Sequence, residues 1–196
     1  MTQREAQAAA TRQRLVAIAR RLFTEHGYAG TSTTMVLTEA GLARGALYHH
    51  FSDKRELLRA AFEAVENDLV DRVIGESYAD PSRPLWDRLT IGIRAFLAAS
   101  AHREVQQIAL TDAPAVLGRT AWRELDESYG LGQLKRILHQ GMKEGVFLRQ
   151  PVDPLARLLI AMLNEGATEV AHAPEPERAL DEVSRTVVGI FDGLRA

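Results

Sequence analysis

The chain of 196 residues contains no cysteine, which excludes disulfides and thiolate metal sites. It has no run of about 18 apolar residues, so no membrane span is expected. Its first residues, MTQREAQAAATRQRL, are polar and lack the apolar centre of a signal peptide, and the expected location is cytoplasmic. Neither sign of charge dominates: 24 Lys+Arg stand against 26 Asp+Glu, a net charge of −2. There is no phosphate loop, nucleophile elbow, HExxH or metal-ligand spacing, so no enzyme activity, cofactor or metal is expected. The adjacent pair His49–His50 does not change this, because neighbouring helical side chains diverge by about 100° and do not chelate. What is present is ordinary for a globular chain, with 46% apolar and 26% charged residues. That length supports one or two domains with an apolar core.

Charge is unevenly distributed along the chain. Residues 1–60 hold 9 Lys+Arg against 5 Asp+Glu, a net of +4, and the remainder carries −6. A basic first third on an acidic remainder suits a small DNA-contacting domain joined to a larger partner domain. Chance segregation of surface charge gives the same numbers.

The periodicity is helical throughout, with no sustained strand alternation. Leu15, Ile18, Ala19, Leu22 and Phe23 form one stripe, with Thr11 as the expected N-cap and Gly27 as the stop. Ser32 caps a short second helix to about Ala40, Gly41 turns the chain, and a third helix runs from about Arg44 to Phe51. Ser52 or Asp53 caps a long fourth helix whose stripe is Leu58, Ala61, Phe62, Val65, Leu69 and Val73. The prolines of Tyr78–Pro84 break the pattern. Further helices are expected over about Leu85–Ala101, Glu104–Leu110, Arg119–Gly145, Pro154–Ala171 and Pro176–Leu194, with breaks at Asp112–Pro114, Gln150–Pro151 and Ala173–Pro176. The first ten residues are expected to fray.

Two short helices around a glycine turn, then an aromatic and histidine cluster, match a helix-turn-helix that enters the DNA major groove. Gly45 and Ala46 let the third helix approach the groove closely, and Ala46 suits a thymine methyl group. Arg44 suits guanine or a phosphate. Ser32, Thr33 and Thr34 offer hydroxyls and amides at a helix N-terminus. Tyr48, His49 and His50 are phosphate donors. Lys54, unfavourable to the dipole at its own helix start, finds a reason in a phosphate partner. Leu42, Leu47 and Phe51 form the core side. Taken singly, Arg44 and Lys54 also read as solvated surface charges and Tyr48 as a half-buried core residue.

Gly27-Tyr28 followed by Thr31-Ser32, then Ala40-Gly41-Leu42, Arg44-Gly45-Ala46-Leu47-Tyr48, His50-Phe51 and Lys54, resembles the N-terminal domain of the TetR family of transcriptional repressors. The match spans about Arg12–Phe62. Asp112–Val116, Trp122 and Tyr129–Leu131 resemble a subset of the same family. The resemblance implies an all-α protein with an N-terminal three-helix DNA-binding domain, residues 1–52, and a C-terminal helical regulatory and dimerisation domain, residues 53–196. It implies a homodimer on a near-palindromic operator of double-stranded DNA, with a small-molecule effector that tilts the fourth helix. Arg44, Gly45, Ala46, Tyr48, His49 and Lys54, with Thr33 and Thr34, are its implied DNA contacts. Two departures stand out: Ala43 replaces the usual Ser or Thr ahead of the recognition helix, and Leu37 replaces a small residue. Losing that cap costs roughly 1 kcal/mol locally. An activator of the same fold, or a helical protein-interaction module without specific DNA binding, is the alternative reading.

Wide apolar faces on the last two helices suggest a four-helix dimer interface, with Leu159, Met162 and Leu163 from one and Val183, Val187, Ile190, Phe191 and Leu194 from the other. The same residues also suit a monomer core. The aromatic content suggests a small apolar or aromatic effector, and the fourth and middle helices offer Phe62, Phe96, Trp122, Tyr129 and Leu138 for it. The polar candidates are Asp112, His139, Asn164 and Glu165. Asn164 and Glu165 interrupt an apolar helix, which is costly if they are buried without partners.

Overall fold

Helix α1 (Gln3–Gly30) begins well before the expected Thr11 cap in the computed structural model, which describes residues 2–196 (Asp126 by its backbone alone). Thr2 and Glu5 form a reciprocal capping box, in which the Thr2 hydroxyl accepts the Glu5 amide and the Glu5 carboxylate accepts the Thr2 amide at 2.7 Å. That cap and the helix-favouring Ala and Gln residues keep the first turns helical where fraying was expected. Thr11 lies inside the helix and donates to Gln7 O. Gly27 kinks α1 at φ 69° and ψ 171° where a stop was expected, and the helix continues to Gly30 with Thr31 as its C-cap.

Ser32 caps α2 (Thr33–Ala40), accepting the Met35 amide at 3.2 Å. Gly41 closes α2 in the left-handed conformation, φ 62° and ψ 33°, which glycine adopts without a Cβ penalty. Helix α3 (Arg44–His50) follows. Helix α4 (Lys54–Ser77) starts on Asp53, whose carboxylate accepts the Glu56 amide at 2.7 Å, while Glu56 reaches back to the Ser52 amide. After the Tyr78–Pro84 break comes α5 (Leu85–Ser100).

Val105–Asp112 is a wider π-helix and passes directly into α6 (Ala113–Leu117). The break expected at Pro114 does not occur: helical hydrogen bonding runs through the junction, where the Ala113 amide donates to Ile108 O across the wider turn. The single helix expected over Arg119–Gly145 is two, α7 (Arg119–Asp126) and α8 (Gly130–Lys143). Helices α9 (Val152–His172) and α10 (Pro176–Asp192) complete the chain. Among the described residues the one β feature is an isolated bridge between Phe147 and Arg195.

The chain packs as two compact units, Met1–Val65 with Arg103–Trp122, and Glu66–His102 with Arg123–Ala196. The expected division at residue 52 follows the DNA-binding motif, whereas packing divides within α4 and adds residues 103–122 to the first unit. Polar ties account for that addition. Arg20 chelates Glu104 at 2.8 and 2.9 Å, Asp112 accepts the Tyr28 amide at 2.8 Å, and Arg55 donates to Leu117 O at 2.9 Å. The second unit has its own core, in which α9 packs against α5, α8 and α10 through residues such as Leu97, Leu138, Leu159 and Phe191.

Candidate functional site

Helix α3 has one buried and one exposed side. Leu47 and the following Phe51 are buried, together with Val36, Leu37 and Ala40 from α2. Leu37, larger than the residue usual in the resembling family, is thus accommodated in the packed interior. Arg44, Gly45, Tyr48 and His49 face outward, Tyr48 with 45% of its surface exposed. The Arg44 guanidinium lies 5.7 Å from the Tyr48 ring centre, so a cation and a phenol share one patch. Ser32 and Thr34 are exposed at the start of α2, while Thr33 and Ala46 are half-buried.

His50 is half-buried beside His49, with ring centres 5.1 Å apart. Burial first, then the neighbouring His49 and Arg12, hold its pKa below the ordinary imidazole value. Lys54 has an intramolecular task. Its ammonium donates to Tyr28 O at 2.8 Å and Thr31 O at 2.9 Å and sits 4.0 Å from the Tyr28 ring centre. A cation on the terminal carbonyls of α1 satisfies orphan acceptors and the helix dipole. That accounts for the lysine without the phosphate partner expected from the sequence.

Ala43 occupies the N-cap of α3 and supplies no side-chain hydrogen bond. Ala43→Ser should therefore stabilise the first unit by about 1 kcal/mol. The check is a higher urea midpoint at an unchanged m-value.

A cavity of about 340 Å³ lies wholly within the second unit, between the last turns of α4, α5 and α8, with Ile160, Leu163 and Phe191 at its edge. Its volume is within the range of small-molecule sites. Of the nine residues expected at an effector site, Phe96 alone lines it. Asp112 instead holds the Tyr28 amide, and Phe62 is fully buried in the first unit, to which Trp122 also belongs. Leu138 is fully buried core, and His139 and Glu165 are exposed. Tyr129 and Asn164 are half-buried away from the lining. Glu165 is exposed and needs no buried partner.

The residues that sequence reasoning missed, Tyr78, Arg88 and Leu89 among them, carried a readable signal. Leu85, Arg88, Leu89, Gly92, Ile93 and Phe96 fall at i, i+3, i+4, i+7, i+8 and i+11, so a charged residue sits within an apolar helical stripe. Among the described residues no cluster of His, Asp and Glu could hold a metal, and no helix is long and apolar enough to cross a membrane.

These features define an all-helical DNA-binding regulator with an N-terminal helix-turn-helix and a separate helical domain. Residues 15–61 match the family described as bacterial regulatory proteins, tetR family, and residues 86–194 match the tetracyclin repressor-like C-terminal domain. The chain is 32% identical over 193 residues to the HTH-type transcriptional repressor AcnR of Corynebacterium diphtheriae, covering 90% of each chain. It is 27% identical over 146 residues to the repressor KstR2 of Mycolicibacterium smegmatis, covering 72% of this chain and 69% of that one. A TetR-family regulator from Pectobacterium atrosepticum superposes with a TM-score of 0.78 at 31% identity, over 100% of this chain and 98% of the other. The chain belongs to the TetR family of transcriptional regulators. The alternative of an interaction module without DNA binding is not favoured.

Proposed function

We propose that this regulator is a cytoplasmic repressor that binds a palindromic operator as a homodimer and is released by a small effector held in the second unit. The observation that carries the reading is the division of α3 between buried Leu47 and an outward face of Arg44, Gly45, Tyr48 and His49. Tyr48 and His49 donate to phosphates, Arg44 meets a base or a phosphate, and the small residues permit close approach. Ser32, Thr33 and Thr34 contribute hydroxyls at the start of α2. Lys54 supports this surface from behind. Relatives described as repressors, AcnR and KstR2, favour repression over activation.

The dimer face that we propose differs from the one expected from the sequence. Leu159, Leu163, Val187 and Phe191 are buried in the chain's own core, and Met162, Val183 and Leu194 pack against it. Leu158, 72% exposed, and Ile190, 49% exposed, mark the outward side of α9 and α10, with Ala161, Thr186 and Gly189 beside them. Small residues around two apolar anchors suit a close helix–helix seam.

Helix α4 is the mechanical element of the proposal. Its first turns belong to the DNA-binding unit, and Leu69, Val70, Val73 and Ile74 from its later turns line the cavity. An effector that prefers one position of α4 biases the operator-binding state, and a change from 1:99 to 99:1 needs about 5.5 kcal/mol of differential affinity.

Selection of bound duplexes from a random pool, at two salt concentrations, tests the function. Enrichment of a palindrome with half-sites about one helical turn apart is the expected result. Binding that disappears at moderate salt with no enriched sequence would overturn it.

A further inference from the structure

Arg88 is the anomalous residue of the cavity. It lies in the first turn of α5 with its guanidinium over the Tyr78 ring, 4.6 Å from the centre. Its Nε is buried and has no hydrogen-bond partner among the described residues, and no carboxylate pairs with it there. Its nearest arginine neighbours in sequence behave otherwise: Arg83 pairs with Asp80 and Arg94 with Asp181. The rest of the cavity wall is largely aliphatic and aromatic, no Asp or Glu lines it, and its other cation, Arg136, is exposed and turned to Gln133.

Guanidinium groups keep their charge in proteins. A buried donor without a partner is unfavourable, and here it belongs to a half-buried cation beside an apolar wall. Tyr78 packs against the guanidinium and Nε is closed off, which leaves the terminal Nη edge as the route for hydrogen bonding. That edge is a planar fork of donors, which matches the two oxygens of a carboxylate.

We infer that the cavity takes an amphipathic monocarboxylate. Its carboxylate lies against Arg88, and its aliphatic or aromatic body lies among Leu89, Ile93, Phe96 and Ile137. This rests on the reading of the cavity as the effector site and narrows that reading to one chemical class.

Two matched probe pairs test it on the full-length protein at pH 8: octanoate against octanol, and 4-phenylbutyrate against 4-phenylbutanol. Titration calorimetry is expected to show at least one acid binding tenfold or more tighter than its alcohol. Arg88→Met keeps the stem and the volume while removing the charge and the fork, and should bring acid and alcohol to equal affinity. Alcohols that bind the unaltered protein as well as the acids would overturn the inference, as would no binding by any probe. That comparison needs no variant, so a poorly folding Arg88→Met leaves the test intact. Retained acid preference in a folded Arg88→Met also overturns it. Operator release is read separately by fluorescence anisotropy. Acid-selective binding without release supports the ligand class and counts against the effector role, whereas equal release by acid and alcohol supports the effector role and overturns the ligand class.

Discussion

Lys54→Met is expected to destabilise the DNA-binding unit by about 2 kcal/mol and to weaken operator binding without changing its salt dependence. The methionine keeps the apolar stem but removes the ammonium that serves Tyr28 O and Thr31 O. A hydrogen bond from a charged donor contributes about 1.5–3 kcal/mol, and solvent screening at the half-exposed Lys54 reduces the two together to about 2 kcal/mol. The loss falls on the join between the end of α1 and the start of α4, where Tyr28 is also held by Asp112. Urea unfolding measures the first effect. For the second, operator affinity is measured across a range of salt. Each phosphate contact contributes about 0.9 to the slope of log K against log salt. Arg44→Ala is the control that should reduce that slope if Arg44 contacts a phosphate. A fall of about one in the Lys54→Met slope would mean that Lys54 reaches a phosphate in the complex, and the intramolecular account would fail.

Phe147→Ala is expected to cost the second unit about 3–5 kcal/mol, the usual range for truncating a buried phenylalanine. Phe147 is 2% exposed, lies edge-on to Trp86 with ring centres 6.3 Å apart, and belongs to the core cluster that includes Leu89, Leu138 and Phe191. Its backbone also pairs with Arg195, whose guanidinium lies 4.8 Å from the Trp86 ring centre. The chain has two tryptophans, so a Trp122→Phe background leaves Trp86 as the sole reporter of this region. Its fluorescence should then lose its native signal at markedly lower urea. A midpoint within experimental error of the parent would mean that the pocket around Phe147 collapses to fill the space.

The helix-turn-helix was legible because its determinants are local. Ser32 reaches an amide three residues ahead, Gly41 supplies a left-handed turn, and Leu47 and Phe51 fall on one side of a short helix. Such features depend on spacing along the chain and survive without knowledge of distant partners. The start of α1 was also local, yet it was missed because the Thr2–Glu5 box stands ahead of an alanine-rich stretch that offers no apolar stripe.

Partners distant in sequence were not legible. Asp112 reads as a polar residue two places before a proline, and only folding brings it to the Tyr28 amide, 84 residues away. Lys54 invited a phosphate because the carbonyls it serves belong to another helix. The faces of α9 and α10 are apolar over so wide an arc that periodicity did not separate the buried Leu159 and Phe191 from the exposed Leu158 and Ile190. The position of Arg88 in an apolar stripe was readable, but its role was not: its charge acquires meaning only beside Tyr78 and a cavity without carboxylates. Sequence by itself determined the helical class, the DNA-binding motif and its outward residues, since helix periods and caps act within a few residues. Tertiary structure decided which polar groups are struts, where the cavity lies and which charge it leaves unmatched, because burial and pairing depend on groups that only the folded chain brings together.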